Sequence, residues 1–425
     1  MSLAEFSRST SSRLFAALAY RDYRTMWFAT MASGAAAWAL IVARGTLVFK
    51  LSDSSAWVGV VTFAAMAPQF FVPPIVGLLA DRFDRRKLLG WVFLANLLHT
   101  AILAALAFTG AIQVWHIVVL SLINGIARAS YMPVAGALAP NLVPREKLPN
   151  AVALHSSTQQ ASRLVGPLMI APLMATVGVQ WAFLLCAVLY GLGLFMVLRI
   201  RTASTGVMER DKSAMHNLLL GLNYVYHHRL LLSVVFIVLL HCSLTMAFES
   251  LMPVLARDRL GVGQAGFAYI MMADGAGAMV TIVALAGIQS DRIRGRLLLW
   301  LGVGSGLASL ALAASTSLPI ALASAAAMGA TQSGFMVLTA VLIQSIVPDG
   351  IRGRVSSVYV LHVGGAMAMF NLVNGSLADV FSAPLVLAAT GLTFVLAMAL
   401  SLLRRPLRTL YAAGLRGEVL QPQVA

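Results

Sequence analysis

The chain has 425 residues, of which 60% are hydrophobic and only 11% charged, and its mean hydropathy is +0.86. A soluble domain carries about 25% charged residues, so an ordinary water-soluble fold is excluded. The net charge of +15 sits between long apolar runs, where it marks loops facing anionic lipid and calls for no nucleic acid.

Residues 1–23 form a Ser/Arg-rich segment without a separate apolar stretch and small-residue cleavage site, so the first span is expected to be its own insertion signal. Twelve apolar spans follow, at 24–49, 56–80, 88–109, 114–138, 151–177, 181–199, 230–255, 264–289, 296–315, 318–346, 354–380 and 384–403. Crossing a hydrocarbon layer of roughly 30 Å takes about 20 apolar residues. Only helices can do so here, because each backbone polar group must be satisfied within its own segment. The fold class is therefore an all-α polytopic membrane protein. Its domains are a six-helix bundle at 24–200, a linker at 201–229 with an amphipathic helix from His216 to His228, a second six-helix bundle at 230–404, and a tail at 405–425.

Orientation follows from charge. All Lys and Arg except Arg44, Lys50, Arg128, Arg163, Arg257 and Arg259 fall in the N-terminal segment, the even-numbered loops or the tail. Positive loops mark the cytoplasmic side, so both termini and the linker are expected inside. Cys186 and Cys242 lie in spans and are expected to be free thiols. His227 and His228 have no third ligand nearby, so no metal is expected.

The most informative segment runs from Gly77 to Arg86, GLLADRFDRR. A weaker copy recurs 210 residues later as Gly287 to Arg296, GIQSDRIRGR. Gly77, Asp81, Arg82 and Arg86 match Gly287, Asp291, Arg292 and Arg296 in register. Each copy ends one apolar helix and opens the next across a basic hinge, as expected of a transporter built from repeats. A second echo pairs Leu142–Leu148 with Ile346–Arg354; in each, a proline ends the incoming helix.

On these residues the chain resembles the major facilitator superfamily, whose loop motif is G-x-L-A-D-R-x-G-R-R. Asp84 stands where that motif has glycine. Leu142–Leu148, Val347–Val355 and Arg163-Leu164-Val165-Gly166-Pro167 are most similar to the bacterial drug and siderophore exporter branch, related to macrolide and enterobactin efflux proteins. The resemblance covers about residues 20–404. Antiporters of this superfamily often have a glycine-rich fifth helix; here Gly166-Pro167 remains, as a helix-five kink, while Ile170 and Ala171 replace later glycines.

The resemblance implies two facing bundles, with helices five and eight opposed and helices one and seven around a cavity. It implies that Gly77 lets helices two and eleven approach. It places Asp81 at the N-terminus of helix eleven, beside Arg352 and Arg354, where an anion is favoured. That contact would latch the inner side shut.

Ionisable side chains inside spans cost roughly 2.5–3.5 kcal/mol each on insertion scales, which marks Arg44, Arg128, Arg163, His241, Glu249 and Asp274 as coupling or cavity candidates. Arg163 lies about 20 Å from the start of span five and Asp274 about 16 Å from the start of span eight, so the two are expected to pair at mid-depth. Desolvation favours a protonated acid and a neighbouring arginine favours the carboxylate, so proton loading at Glu249 or Asp274 can follow cavity opening. For His241 and His99 the default reading is a packed histidine with one hydrogen bond. No nucleotide-binding loop or catalytic cluster is present, so neither an enzyme nor a cofactor is expected. The expected activity is export of a small amphipathic or hydrophobic molecule by alternating access, coupled to protons in antiport. The expected setting is a monomer in the cytoplasmic membrane, with lipid, substrate and protons as its only partners. An importer or facilitator on the same fold, and a non-transporting scaffold or sensor, are the alternatives.

Overall fold

A computed structural model describes residues 16–204 and 214–414, apart from 264, 289, 349 and 350. The linker charges Glu209–Lys212 lie outside the described residues. The first helices are α1 (Arg21–Ser52), α2 (Ser55–Met66), α3 (Val72–Arg82), α4 (Arg85–Phe108), α5 (Val114–Leu138), α6 (Leu148–Thr176) and α7 (Val179–Leu198). A short α8 (Ala214–His227) precedes α9 (Arg229–His241), α10 (Gly266–Ala286), α11 (Asp291–Ala314) and α12 (Leu318–Ile346). The last three are α13 (Arg352–Phe381), α14 (Ala383–Ser401) and α15 (Arg405–Ala413). No strand occurs among the described residues.

Among the described residues ten stretches are long and apolar enough to cross a membrane, counting α9 and its continuation to Arg259 as one. An eleventh is the pair α2 and α3, bent by 45° where Phe71 and two prolines interrupt it. The expected span at 151–177 falls on the 29-residue α6, which is not among these stretches. Its run of Ser156, Ser157, Thr158, Gln159, Gln160 and Arg163 makes it more polar than the others. Helix starts follow local chemistry: Ser54, Asp84 and Ser290 each accept a backbone N–H in the first turn of the helix they open, satisfying a donor the helix itself cannot.

The chain forms two compact units. One holds Met1–Arg44 and Pro68–Arg210, the other Gly45–Ala67 and Asp211–Ala425. Segment 45–67 thus groups with the second unit, where the sequence division at the linker would place it in the first; the reason is that α2 packs along α13. The first unit's core includes Tyr23, Met26, Phe93, Leu138 and Val197. The second is centred on Leu231, Phe335, Phe394 and Met398, with Leu407 and Leu410 of α15 closing one end.

Candidate transport site

In the second unit the seventh span is broken. α9 ends at His241, and the chain continues as a π-turn at Cys242–Met246, a 3-10 turn at Glu249–Leu251 and a second π-turn at Leu255–Arg259. A break at membrane depth frees carbonyls and amides, which must find partners inside the protein. Three side-chain amides supply them. Gln332 of α12 donates Nε2–H to the Thr245 carbonyl at 2.7 Å, and Asn374 of α13 donates Nδ2–H to the Ala247 carbonyl at 2.7 Å. The Ser250 N–H donates to Asn371 Oδ1 at 3.1 Å. All three amides are buried. Glu249, also buried, lies inside this break. π-turns of this kind concentrate at functional sites.

Asp274 is wholly buried in α10. Its backbone runs against Gly329 of α12, where an added Cβ would collide with the Asp274 carbonyl, so only glycine allows the crossing. His241 packs against the Phe335 and Phe394 rings at 4.4 and 5.1 Å, with its Nε2 3.1 Å from Ser305 Oγ. That is the packed arrangement with one hydrogen bond.

At one end of the same unit, Asp379 of α13 caps α2. The Ser54 hydroxyl donates to Asp379 Oδ2 at 2.5 Å, and the Ser55 and Ala56 N–H groups donate to its two oxygens at 2.6 and 3.2 Å. Arg257 pairs with Asp53 and Asp258 beside it. Gln332, Asn371, Asn374 and Asp379 escaped sequence reasoning. Their signal is a neutral amide or an end-of-span acid inside an apolar run, neither of which carries the mid-span charge that marks a candidate site.

In the first unit, Arg44 is buried and donates from Nη1 to Ser121 Oγ at 3.0 Å. Deeper in the same core Asn124 donates to Asn96 Oδ1 at 2.9 Å. Arg128 is half-buried on α5. Arg163 is buried with its guanidinium 5.3 Å from the centre of the Trp38 ring. One turn on, Gly166 touches the α1 backbone at Ala35 and Ala39 so closely that a Cβ would not fit. Pro167 and Pro172 lie within α6, which is one continuous helix. Arg163 belongs to the first unit and Asp274 to the second.

The hinges are also resolved individually. Gly77 lies inside α3 in open space; Asp81 and Arg82 complete its last turn, with the Asp81 side chain outside the described set. Arg86 pairs with Asp84 at 3.1 Å. Gly287 caps the end of α10, Asp291 opens α11 and lies 3.5 Å from Arg294, and Arg296 is exposed. Arg292 Nε donates to the Ala412 carbonyl at 3.4 Å. Arg352 Nη2 reaches the Val347 carbonyl at 3.5 Å, and Arg354 is half-buried with its carbonyl against Gly221 of α8.

Apolar spans, paired basic hinges, a broken helix and buried carboxylates define a multi-pass membrane transporter. The sequence profile of the transmembrane secretion effector family matches residues 12–421. The chain belongs to that family, within the major facilitator superfamily. It is 24% identical over 257 residues to the staphyloferrin A transporter of Staphylococcus aureus, covering 60% of this chain and 62% of that protein. It is 25% identical over 219 residues to macrolide efflux protein A of Streptococcus pyogenes, covering 50% of this chain and 54% of the relative. The chain thus spans little more than half the length of the curated relatives it matches. Among solved structures, the nucleoside transporter NupG superposes with a TM-score of 0.72 at 11% identity, covering 89% of this chain and 98% of that one. A POT family transporter in complex with 5-aminolevulinic acid gives 0.66 at 13% identity, covering 91% and 96%. These two likenesses establish the fold.

Proposed function

We propose that the protein exports a small amphipathic or hydrophobic molecule by alternating access, with protons entering in antiport. The observation that carries this reading is the broken seventh span, where Glu249 is buried inside a segment whose backbone is held by Gln332, Asn371 and Asn374. Transporters build substrate and ion sites at discontinuous transmembrane helices; Glu249 lies in the outer third of span seven. Asp274, one span later, is a second buried acid available for proton loading. The names of the macrolide and staphyloferrin relatives support a compound of that kind as cargo. The protein acts in the cytoplasmic membrane as a monomer with both termini inside.

The test uses inverted vesicles and a labelled panel of amphipathic compounds, with and without an acid-inside gradient. Gradient-dependent uptake is expected for wild type. Glu249→Gln or Asp274→Asn is expected to abolish the gradient dependence while keeping compound binding. Full pH-driven uptake in both variants would move the proton site elsewhere. Uptake into right-side-out cells, with none into inverted vesicles, would reverse the direction. Orientation is checked with cysteines at exposed Ala203 and Ala111; an impermeant thiol reagent on intact cells should label position 111 only.

A further inference from the structure

Four arginines from three separated stretches of sequence meet at one end of the first unit. Arg21 opens α1, Arg86 lies in the first turn of α4, and Arg199 and Arg201 follow α7; with Leu198 and Ile200 they line a cleft of about 550 Å³. The cleft is held in shape by the acids beside it. Arg86 Nη1 donates to the Ile200 and Arg201 carbonyls at 3.1 and 3.3 Å, and its Nη2 pairs with Asp84. Asp22 Oδ2 accepts the Arg201 and Thr202 N–H groups at 3.0 and 2.8 Å and the Thr202 hydroxyl at 2.7 Å. Asp22 and Asp84 are therefore engaged with backbone and Arg86. The guanidiniums of Arg21, Arg199 and Arg201 make no hydrogen bond or ion pair among the described residues, and Arg199 is propped at 4.2 Å over the Phe195 ring.

A basic loop alone would be a topology signal. Two features go further. The guanidiniums line one cavity with an apolar wall, and planar guanidiniums suit phosphate oxygens. In addition, the exposed side chains Leu184, Val188, Leu192, Phe195 and Leu198 form one stripe of α7 at spacings of three and four, running to the mouth of the cleft. Charge at the end of an apolar stripe is the complement of a lipid with an anionic head. We propose that this cleft binds the phosphate of an acidic phospholipid, with Arg21, Arg199 and Arg201 on the headgroup and the α7 stripe along an acyl chain. Basic pockets between transmembrane helices are a known form of lipid site.

The test is the thermal unfolding of the full purified chain in detergent, titrated separately with phosphatidylglycerol, phosphatidylcholine and inorganic phosphate. Phosphatidylglycerol is expected to raise the unfolding temperature saturably, and the other two are not. Arg199→Gln with Arg201→Gln should weaken the phosphatidylglycerol effect by about tenfold or more, while Arg199→Lys with Arg201→Lys should retain part of it. The matched control is Arg405→Gln with Arg408→Gln, two exposed arginines of α15; it should titrate like wild type. Equal losses in the cleft and control variants would reduce the effect to diffuse charge attraction and overturn the site. An equal response to inorganic phosphate would overturn the lipid assignment. Arg86 is left intact because its loss would unfasten the backbone that shapes the cleft.

Discussion

The two hinges carry the same four letters at the same spacing, yet the helix boundaries fall differently in each. In the first unit α3 runs through Asp81 to Arg82 and the next helix starts at Arg85; in the second, α10 ends at Ala286 and the next helix starts at Asp291. Aligned by helix starts, Asp81 corresponds to Gly287, and the first-turn acid Asp291 corresponds to the Asp84–Arg85 corner. Asp84, the departure from the family motif, caps α4 through the Arg86 N–H at 2.9 Å. The electrostatics of the matching aspartates are therefore opposite. Asp291 sits at the positive end of its helix dipole, while Asp81 sits in a last turn, at the negative end, where an anion is unfavourable. Asp291 stabilises its own helix. The last turn of α3 gives a carboxylate no such stabilisation, and we propose that Asp81 serves gating.

That contrast gives the largest expected effect. Asp81→Asn should cut transport by about tenfold or more, the scale of a lost conformational coupling, while leaving thermal stability equal to or up to about 1 kcal/mol above wild type. Asp291→Asn should lose about 0.3–1 kcal/mol of stability and keep transport near wild type at equal expression. Parallel transport assays and melts of the two variants decide it. Wild-type transport in Asp81→Asn would make both aspartates structural.

This four-residue offset also marks where the sequence stops being legible. The spans, the two hinges and the buried charges could be read from hydropathy and identity, because insertion into lipid imposes length and charge rules on each segment separately. The break in span seven could not. Residues 242–252 are apolar apart from Ser243, Thr245, Glu249 and Ser250, and the only proline of the span, Pro253, comes after the turns at 242–251. What permits the break is a supply of amides from Gln332, Asn371 and Asn374, roughly a hundred residues downstream, and such tertiary compensation leaves no local pattern. The capping of α2 by Asp379 is hidden for the same reason. A polar residue near a span end reads as an interface residue until its partner is seen.

Each hinge is fastened by the chain that follows its sixth span, by different physics. In the first unit a strap at 199–204 is held by hydrogen bonds: Arg85 N–H to the Ser204 carbonyl at 2.8 Å, Asn141 Nδ2–H to Ser204 Oγ, and the Arg201 and Thr202 N–H groups to Asp22 Oδ2. In the second, α15 buries Leu407, Leu410 and Tyr411 against the core. Leu410→Ala should therefore destabilise the second unit by about 2–4 kcal/mol, the usual cost of an aliphatic cavity. Measured by thermal unfolding, a loss under about 0.5 kcal/mol would mean that α15 rests on the core without holding it.

The back-reaching arginines sharpen the comparison at a smaller scale. Arg85 Nε donates to the Ala80 carbonyl at 3.0 Å, and its Nη1 reaches the Ala137 carbonyl at 2.9 Å on α5. Arg294 Nε makes the equivalent bond to the Ile288 carbonyl at 2.9 Å. Arg85 joins three elements, so Arg85→Gln should cost about 1.5–3 kcal/mol and Arg294→Gln about 1 kcal/mol. Equal costs in melts of the two variants would show that the reach to α5 contributes nothing.

The smallest expected effect concerns acid. Burial pushes the Asp22 carboxyl up, but the hydroxyl and amide of Thr202, the amide of Arg201 and the charge of Arg21 together outweigh it and hold the group below 3.8. A carboxyl lowered on folding contributes stability above its unfolded value, and that contribution fades as pH falls through the native value. The strap should thus stay fastened at every pH above the ordinary carboxyl range and release only in acid. Because Cys186 and Cys242 are buried, a nitroxide at Ala203→Cys reports the strap and one at Ala412→Cys reports α15. The strap label should be immobile from about pH 8 to about pH 5 and gain mobility below 3.8, whereas the α15 label, held by apolar packing, should not follow. With Asp22→Ala the strap label should show the same partial gain in mobility at every pH, limited by the bonds from Arg85, Arg86 and Asn141 that remain. A mobility change near neutral pH that survives Asp22→Ala would assign the fastening to a different group and remove the distinction between a strap held by charge and a helix held by packing.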